Sequence, residues 1–164
     1  MKLSQLFNIK KPSEPPLPEK KPTERMTLGK LGENAALEYL SGKNYHLLER
    51  NWRHSRSEID LIMKDGRCVV FCEVRTQNLE SRNHLTPAQS VNSKKIDNLI
   101  AGAKHYMAFY HETASRDFKT LPPCRFDVIE VFVRGGKVVK LNHISDAFII
   151  NRNKKKGTGY KSCR

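Results

Sequence analysis

Three charged side chains interrupt two of the most apolar stretches of this chain: Asp60 in "SEIDLIMK", and Glu73 and Arg75 in "FCEVRT". Residues two apart on a strand project to the same face, so Glu73 and Arg75 stand together. An Asp65-Gly66 pair lies between the two stretches, and such a pair between apolar runs is a strong hairpin signal. With those two residues as the turn, Lys64 faces Arg67, Asp60 faces Phe71 and Glu58 faces Glu73. Asp60 and Glu73 then become diagonal neighbours, with Cβ atoms roughly 7–8 Å apart or somewhat less. Their carboxylates can converge on one hard cation such as Mg²⁺, whose oxygen ligands sit at about 2.1 Å. A guanidinium two residues beyond Glu73 would reach a phosphate, or the water attacking it. That is a layout for metal-assisted phosphodiester hydrolysis.

The same register predicts two unlike faces. One carries Ile59, Leu61, Met63, Cys68, Val70, Cys72 and Val74, all apolar. The other carries Ile62, Val69 and Phe71 near the turn, then Glu58, Asp60, Glu73 and Arg75 further out. Like charges opposite one another destabilise a sheet, and burial raises the cost. Three carboxylates against one Arg therefore call for a further cation. On the hairpin alone a plain solvent face, with a Glu73–Arg75 ion pair and Glu58 turned outward, accounts for the pattern more simply.

Other elements must hold these groups. The segment "KKPSEPPLPEKKPTER" carries five of the chain's eight prolines and reads as a disordered leader. Thr27 caps a helix expected to run to about Lys43, with Leu28, Leu31, Ala35, Tyr39 and Leu40 at helical spacing and Glu33 at the edge of that stripe. "YHLLERNW" reads as a strand ahead of the hairpin. A second helix is expected from about Asn92 to His111 on Ile96, Leu99, Ile100, Ala103, Tyr106 and Met107. Pro122-Pro123 introduces the strand "CRFDVIEVFV", which Gly135-Gly136 turns into "KVVKLN", and a short helix around "SDAFII" closes the domain. Helix, three strands, helix, two strands predicts an α/β sandwich around a central mixed sheet. The expected division is a leader over 1–25, one domain over 26–150 and a basic tail over 151–164.

Composition narrows the classes. The 164-residue chain carries a net charge of +13, from 30 Lys and Arg against 17 Asp and Glu. Most of the excess lies in the two ends, which read as solvated tails that can add sequence-independent attraction to phosphate. No apolar run suggests a membrane span, and "MKLSQLFNIKK" lacks the apolar core of a signal peptide. The four cysteines form no CxxC pair, and Cys68 and Cys72 are too far apart on one strand to bridge. All four are expected as reduced thiols in a cytoplasmic protein.

The stretches "LGKLGENAALEYL", "LLERNWR", "SEIDLIMKDG", "VVFCEVRT", "CRFDVIEV" and "HISDAF" follow the order and spacing of the YraN family of small bacterial proteins. The resemblance covers about residues 27–150. That family resembles the restriction-endonuclease-like superfamily, whose active site is an Asp followed by Asp/Glu-x-Lys on the next strand. The fold is shared with archaeal Holliday junction resolvases, which add an acid from the first helix. The resemblance implies Asp60 and Glu73 as ligands for Mg²⁺ or Mn²⁺, Glu33 as the helix acid and Glu58 as an auxiliary ligand. It places Arg75 where the family has its active-site lysine. Gln77 and Ser57 also depart from the pattern, which favours Arg and Gly there. Arg keeps the charge but gives up no proton near neutral pH.

Lys94 and Lys95 read as a solvated helix start, with the alternative that one of them stands in for the missing lysine. Arg53, Arg56, Lys94 and Lys95 are the candidate nucleic-acid contacts. Trp52 is expected in the core, and Arg125 and Asp127 as a structural pair on one strand face. The expectation is a DNA endonuclease with no membrane partner, and a homodimer is left open. The alternatives are a catalytically impaired nucleic-acid-binding module of the same fold and a protein-interaction module.

Overall fold

A computed structural model describes residues 24–81, 93–114, 122–147 and 163. Helix α1 spans Glu24–Gly42, strands β1, β2 and β3 span His46–His54, Ser57–Asp65 and Cys68–Asn78, and helix α2 spans Ser93–Ala114. Strands β4 (Cys124–Arg134) and β5 (Lys137–Ile144) follow. The sheet order is β1-β2-β3-β4-β5. Among the described strands only β3 and β4 pair in parallel, and such a pairing needs a long crossover like the one that contains α2. The expected order of elements and the α/β sandwich with a mixed sheet are both present.

Each helix covers one face and seals one core. Ala36 and Leu40 of α1 pack with Leu61, Met63, Val70, Cys72, Ile129 and Val131. Leu99, Ala103, Tyr106 and Met107 of α2 pack with Ile59, Ile62, Val69, Phe71 and Phe126. β3 feeds both layers by alternation, which is why it reads as nearly continuously apolar. α1 sits very close to it, since a Cβ on Gly32 would collide with the Thr76 hydroxyl and lie 2.9 Å from its Cβ.

Two details of the hairpin differ from expectation. The β2–β3 turn is Gly66-Arg67, because Asp65 still pairs with Cys68 and Ile62, in place of Asp60, faces Phe71. Gly66 takes φ +57, and glycine at the first central position is the II′ preference for two-residue loops. Continuing that ladder brings Asp60, in place of Glu58, level with Glu73. The second difference is Ile59. It packs in the α2 layer, whereas Leu61 packs in the α1 layer, so strand alternation reverses at Asp60. Its cross-strand counterpart is Asn51, between the pairs Arg50↔Leu61 and Trp52↔Ile59. Asn51 adopts φ 53, a left-handed conformation that Asn tolerates better than most residues. The irregularity re-aims Asp60.

Smaller corrections concern the ends. α1 begins at Glu24, ahead of the expected cap Thr27. Ser145 and Asp146 form a turn and Ala147 is not helical, in place of the expected start of a closing helix; residues 148–150 lie outside the described residues, as do residues 1–23 of the leader and the tail apart from Cys163. Cys163 is joined to Cys68 by a disulfide with Cα atoms 5.8 Å apart, so these two are not the reduced thiols expected. Cys72 and Cys124 are free and buried. Cys163 sits in a polar tail without periodicity, which gave no sign that it would reach the sheet. No helix among the described residues is long and apolar enough to cross a membrane.

Candidate active site

The β2–β3 ladder pairs residues as far as Leu61↔Cys72. Beyond it the Val74 amide donates to the Asp60 side chain, N to Oδ2 at 2.7 Å. A carboxylate thus takes the place of a backbone carbonyl, and the strands are bridged by a side chain where their pairing ends. Glu73 lies beside this bridge and is only 3% exposed. Burial pushes the Asp60 carboxyl up to about 7, and the neighbouring Glu73 charge adds to the rise. The Val74 amide and Lys95 pull it back, while Glu33 raises it again.

Two cations reach Glu73. Lys95, from the first turn of α2, makes an ion pair with Oε1, and Arg75 Nη2 lies 3.9 Å from the same oxygen. Arg75 is beyond hydrogen-bond distance, and Glu73 Oε1 accepts no hydrogen bond among the described residues. Lys95 is thereby moved from the solvated helix start expected for it to the centre of the site. Its side chain remains 55% exposed, against 9% for Arg75. In the parallel ladder Arg75 stands next to Glu130, a buried acid whose Oε2 accepts from Asn142. Glu130 was missed from sequence, although an acid sharing a strand face with Phe126 and Val128 is a readable anomaly.

The remaining expected residues divide. Glu33 is close enough to act on Asp60, but its carboxylate is held by Arg50 at 3.1 Å. Arg50 also donates to Asn34 Oδ1 at 2.7 Å, tying β1 to α1. Glu58, expected as an auxiliary ligand, instead pairs with Arg53 at 2.6 Å in solvent. Cross-strand proximity to Arg53 decided its position. Arg53, Arg56 and Lys94 are exposed.

The donor set fits a hard divalent cation in part. Asp60 and Glu73 offer neighbouring carboxylates in a largely desolvated site. Mg²⁺ is commonly held by one or two carboxylates with water and substrate phosphate filling the rest. Among the described residues no three His, Cys, Asp or Glu side chains gather into a larger metal-binding group. Among the described residues, Asp60 and Glu73 are the pair of carboxylates this site could offer a cation.

A second polar cluster lies at the far end of β4. Arg125 donates to Asp127, to Asp65 at 2.9 Å and to the Tyr45 hydroxyl at 2.6 Å. Asp127 also meets His143 Nε2 at 2.9 Å and accepts from the Asp146 amide. Ser145 Oγ approaches that same His143 nitrogen, so the three side chains do not form a proton relay through two ring nitrogens. The cluster ties β2, β4, β5 and the α1–β1 connection together, as a buried structural network does.

Comparison with known proteins agrees with the motifs. Residues 32–131 match the uncharacterised protein family UPF0102. A UPF0102 protein of Chlorobium phaeobacteroides is 37% identical over 127 residues, covering 74% of this chain and 94% of its own. One from Caldanaerobacter subterraneus is 38% identical over 130 residues, covering 78% and 99%. The chain belongs to UPF0102, the YraN family.

Proposed function

We propose that this protein is a nuclease acting on DNA, hydrolysing phosphodiester bonds with Mg²⁺ or Mn²⁺ held by Asp60 and Glu73. The observation that carries the reading is the buried Glu73 beside the partly buried Asp60, with Arg75 and Lys95 converging on Glu73. Such a cluster is a poor source of stability, because desolvation offsets its Coulombic gain, and strongly perturbed groups gather at functional sites. The bound cation would supply Lewis-acid polarisation of the phosphate and a more acidic water. The chain's own residues do the rest. Arg75 presents a fixed fork of donors to phosphate oxygens. Lys95 brings the amine that Arg75 cannot, on a side chain exposed enough to move from Glu73 to a substrate.

Arg75 itself favours a second reading, a nucleic-acid-binding module of the same fold that has lost efficient cleavage. One experiment separates them. Branched, single-stranded and duplex DNA and RNA are incubated with the full-length chain in Mg²⁺ or Mn²⁺, beside Glu73→Ala. Cleavage by wild type alone supports the nuclease. Binding without cleavage of any substrate supports the module.

A further inference from the structure

We infer that the stacked rings of His54 and His105 form a platform for an unpaired base of the nucleic acid. The inference rests on the proposed nucleic-acid function and specifies the substrate it takes. His54 ends β1 and His105 lies on the outer face of α2; both are exposed. Their ring centroids are 4.3 Å apart with planes inclined by 32°. Trp52 also stacks on His54, at 5.9 Å and 14°, and is itself braced edge-on by Tyr106 at 5.7 Å. Neither histidine ring makes a hydrogen bond or ion pair among the described residues, and ring contacts are what orient them.

The support beneath them is rigid. Ser57 Oγ donates to the Asn98 carbonyl at 2.8 Å, pinning the β1–β2 hairpin to α2. Gly102 permits this approach, since a Cβ there would lie 2.9 Å from Ser57 Cβ and 3.3 Å from the Trp52 ring. The rings therefore project at a fixed angle from two packed elements. Exposed, pre-oriented aromatic faces are what sequence-tolerant recognition of single strands uses.

Charge selects the occupant. Arg53 and Arg56 flank His54 on the hairpin, Lys104 adjoins His105, and all three are exposed. Lys95, at Glu73, precedes His105 by a stretch of α2 about 15 Å long. A strand lying along α2 would place its phosphates over these cations and a base on the histidines. Only an unpaired base has a free π-face to give, because duplex bases are already stacked. The substrate class is nucleic acid with a single-stranded segment next to the scissile phosphate, such as a flap, branch or loop.

The test measures binding of full-length protein, in EDTA to prevent cleavage, to labelled DNA with a single-stranded overhang and to blunt duplex carrying the same number of phosphates. Wild type is expected to prefer the overhang by about fivefold or more. His54→Ala and His105→Ala should each remove the preference and leave duplex binding unchanged. His105→Tyr should keep it, and His105→Lys should lose it despite its charge. If Lys keeps the preference and Tyr loses it, the contact is to phosphate and the platform is overturned. If wild type binds or cuts duplex without preferring the overhang, the platform falls and the nuclease reading survives. If no nucleic acid binds at all, both fall.

Discussion

Val74 donates its backbone N–H to Asp60 Oδ2 at 2.7 Å, so a candidate metal ligand also closes the gap where the β2–β3 ladder ends. The two roles separate chemically. Asn keeps an acceptor for the Val74 amide but removes the like charge facing Glu73. Asp60→Asn should therefore melt at or slightly above the wild-type temperature without divalent cation. Wild type should be stabilised by several degrees in saturating Mn²⁺, since a ligand bound only to the native state raises its stability. Asp60→Asn should show no such rise. A thermal melt of both proteins with and without Mn²⁺ reads this directly, and an equal rise in both would remove Asp60 from the metal site.

Much of this was legible in the sequence, and the failures have physical causes. Turn glycines and apolar periodicity located every described strand and both helices, because those signals are local. The hairpin register slipped because Asp65-Gly66 and Gly66-Arg67 both make workable two-residue turns. A slip of two residues leaves the faces from Leu61 to Val74 as expected, so Asp60 was still read as a neighbour of Glu73. Ile59 was assigned to the wrong layer because the left-handed Asn51 leaves no mark in an alternating pattern. Lys95 was read as solvated because its partner, Glu73, lies on another element. The same limit hid Tyr45, Asp65 and His143 from the Arg125–Asp127 pair, which was itself readable from spacing.

The contact of α1 on β3 at Gly32 should be intolerant of a single methyl. Ala is favoured over Gly within a helix by about 1 kcal/mol, yet here its Cβ would strike the Thr76 side chain. Overpacking of this kind costs about 1–3 kcal/mol. Gly32→Ala is expected to lower stability on balance, and adding Thr76→Ala should recover part of the loss. Urea denaturation of the two single variants and the double gives the coupling; simple additivity would mean that the helix shifts without resistance.

Asp127 should contribute to stability on the acid limb. Burial alone would push its carboxyl up, but hydrogen bonds from His143, Arg125 and the Asp146 amide outweigh it and hold the carboxyl below its ordinary value. A group depressed in the folded state stabilises above its unfolded value, near 3.9. It loses that contribution as pH falls through the folded value. Asp127→Ala should cost about 3 kcal/mol or more at pH 7. Its deficit relative to wild type should shrink as pH drops below the ordinary aspartate range. Denaturant midpoints at neutral and strongly acidic pH test the sign, and a deficit that grows toward acid would reverse it.

Lys95 and Arg75 reach one oxygen of Glu73 from different elements, which raises the question of which cation carries a proton-transfer role. Arg cannot release a proton near neutral pH, whereas an amine can. If Lys95 supplies that function, Lys95→Met should lower Mn²⁺-dependent cleavage by roughly 100-fold, the smaller end of what general acid–base groups contribute. Arg75→Lys alone should change the rate little, because the amine is already present on α2. In the Lys95→Met background, Arg75→Lys should restore a large part of the loss by placing an amine on the strand position two residues beyond Glu73. Binding of uncleaved substrate in EDTA should stay within a few-fold across the set, which separates chemistry from simple phosphate attraction. The decisive comparison is the double variant against Lys95→Met. Recovery of rate assigns the amine role to either position, and no recovery, with the fold intact by circular dichroism, would leave Lys95 only as a counter-ion to Glu73.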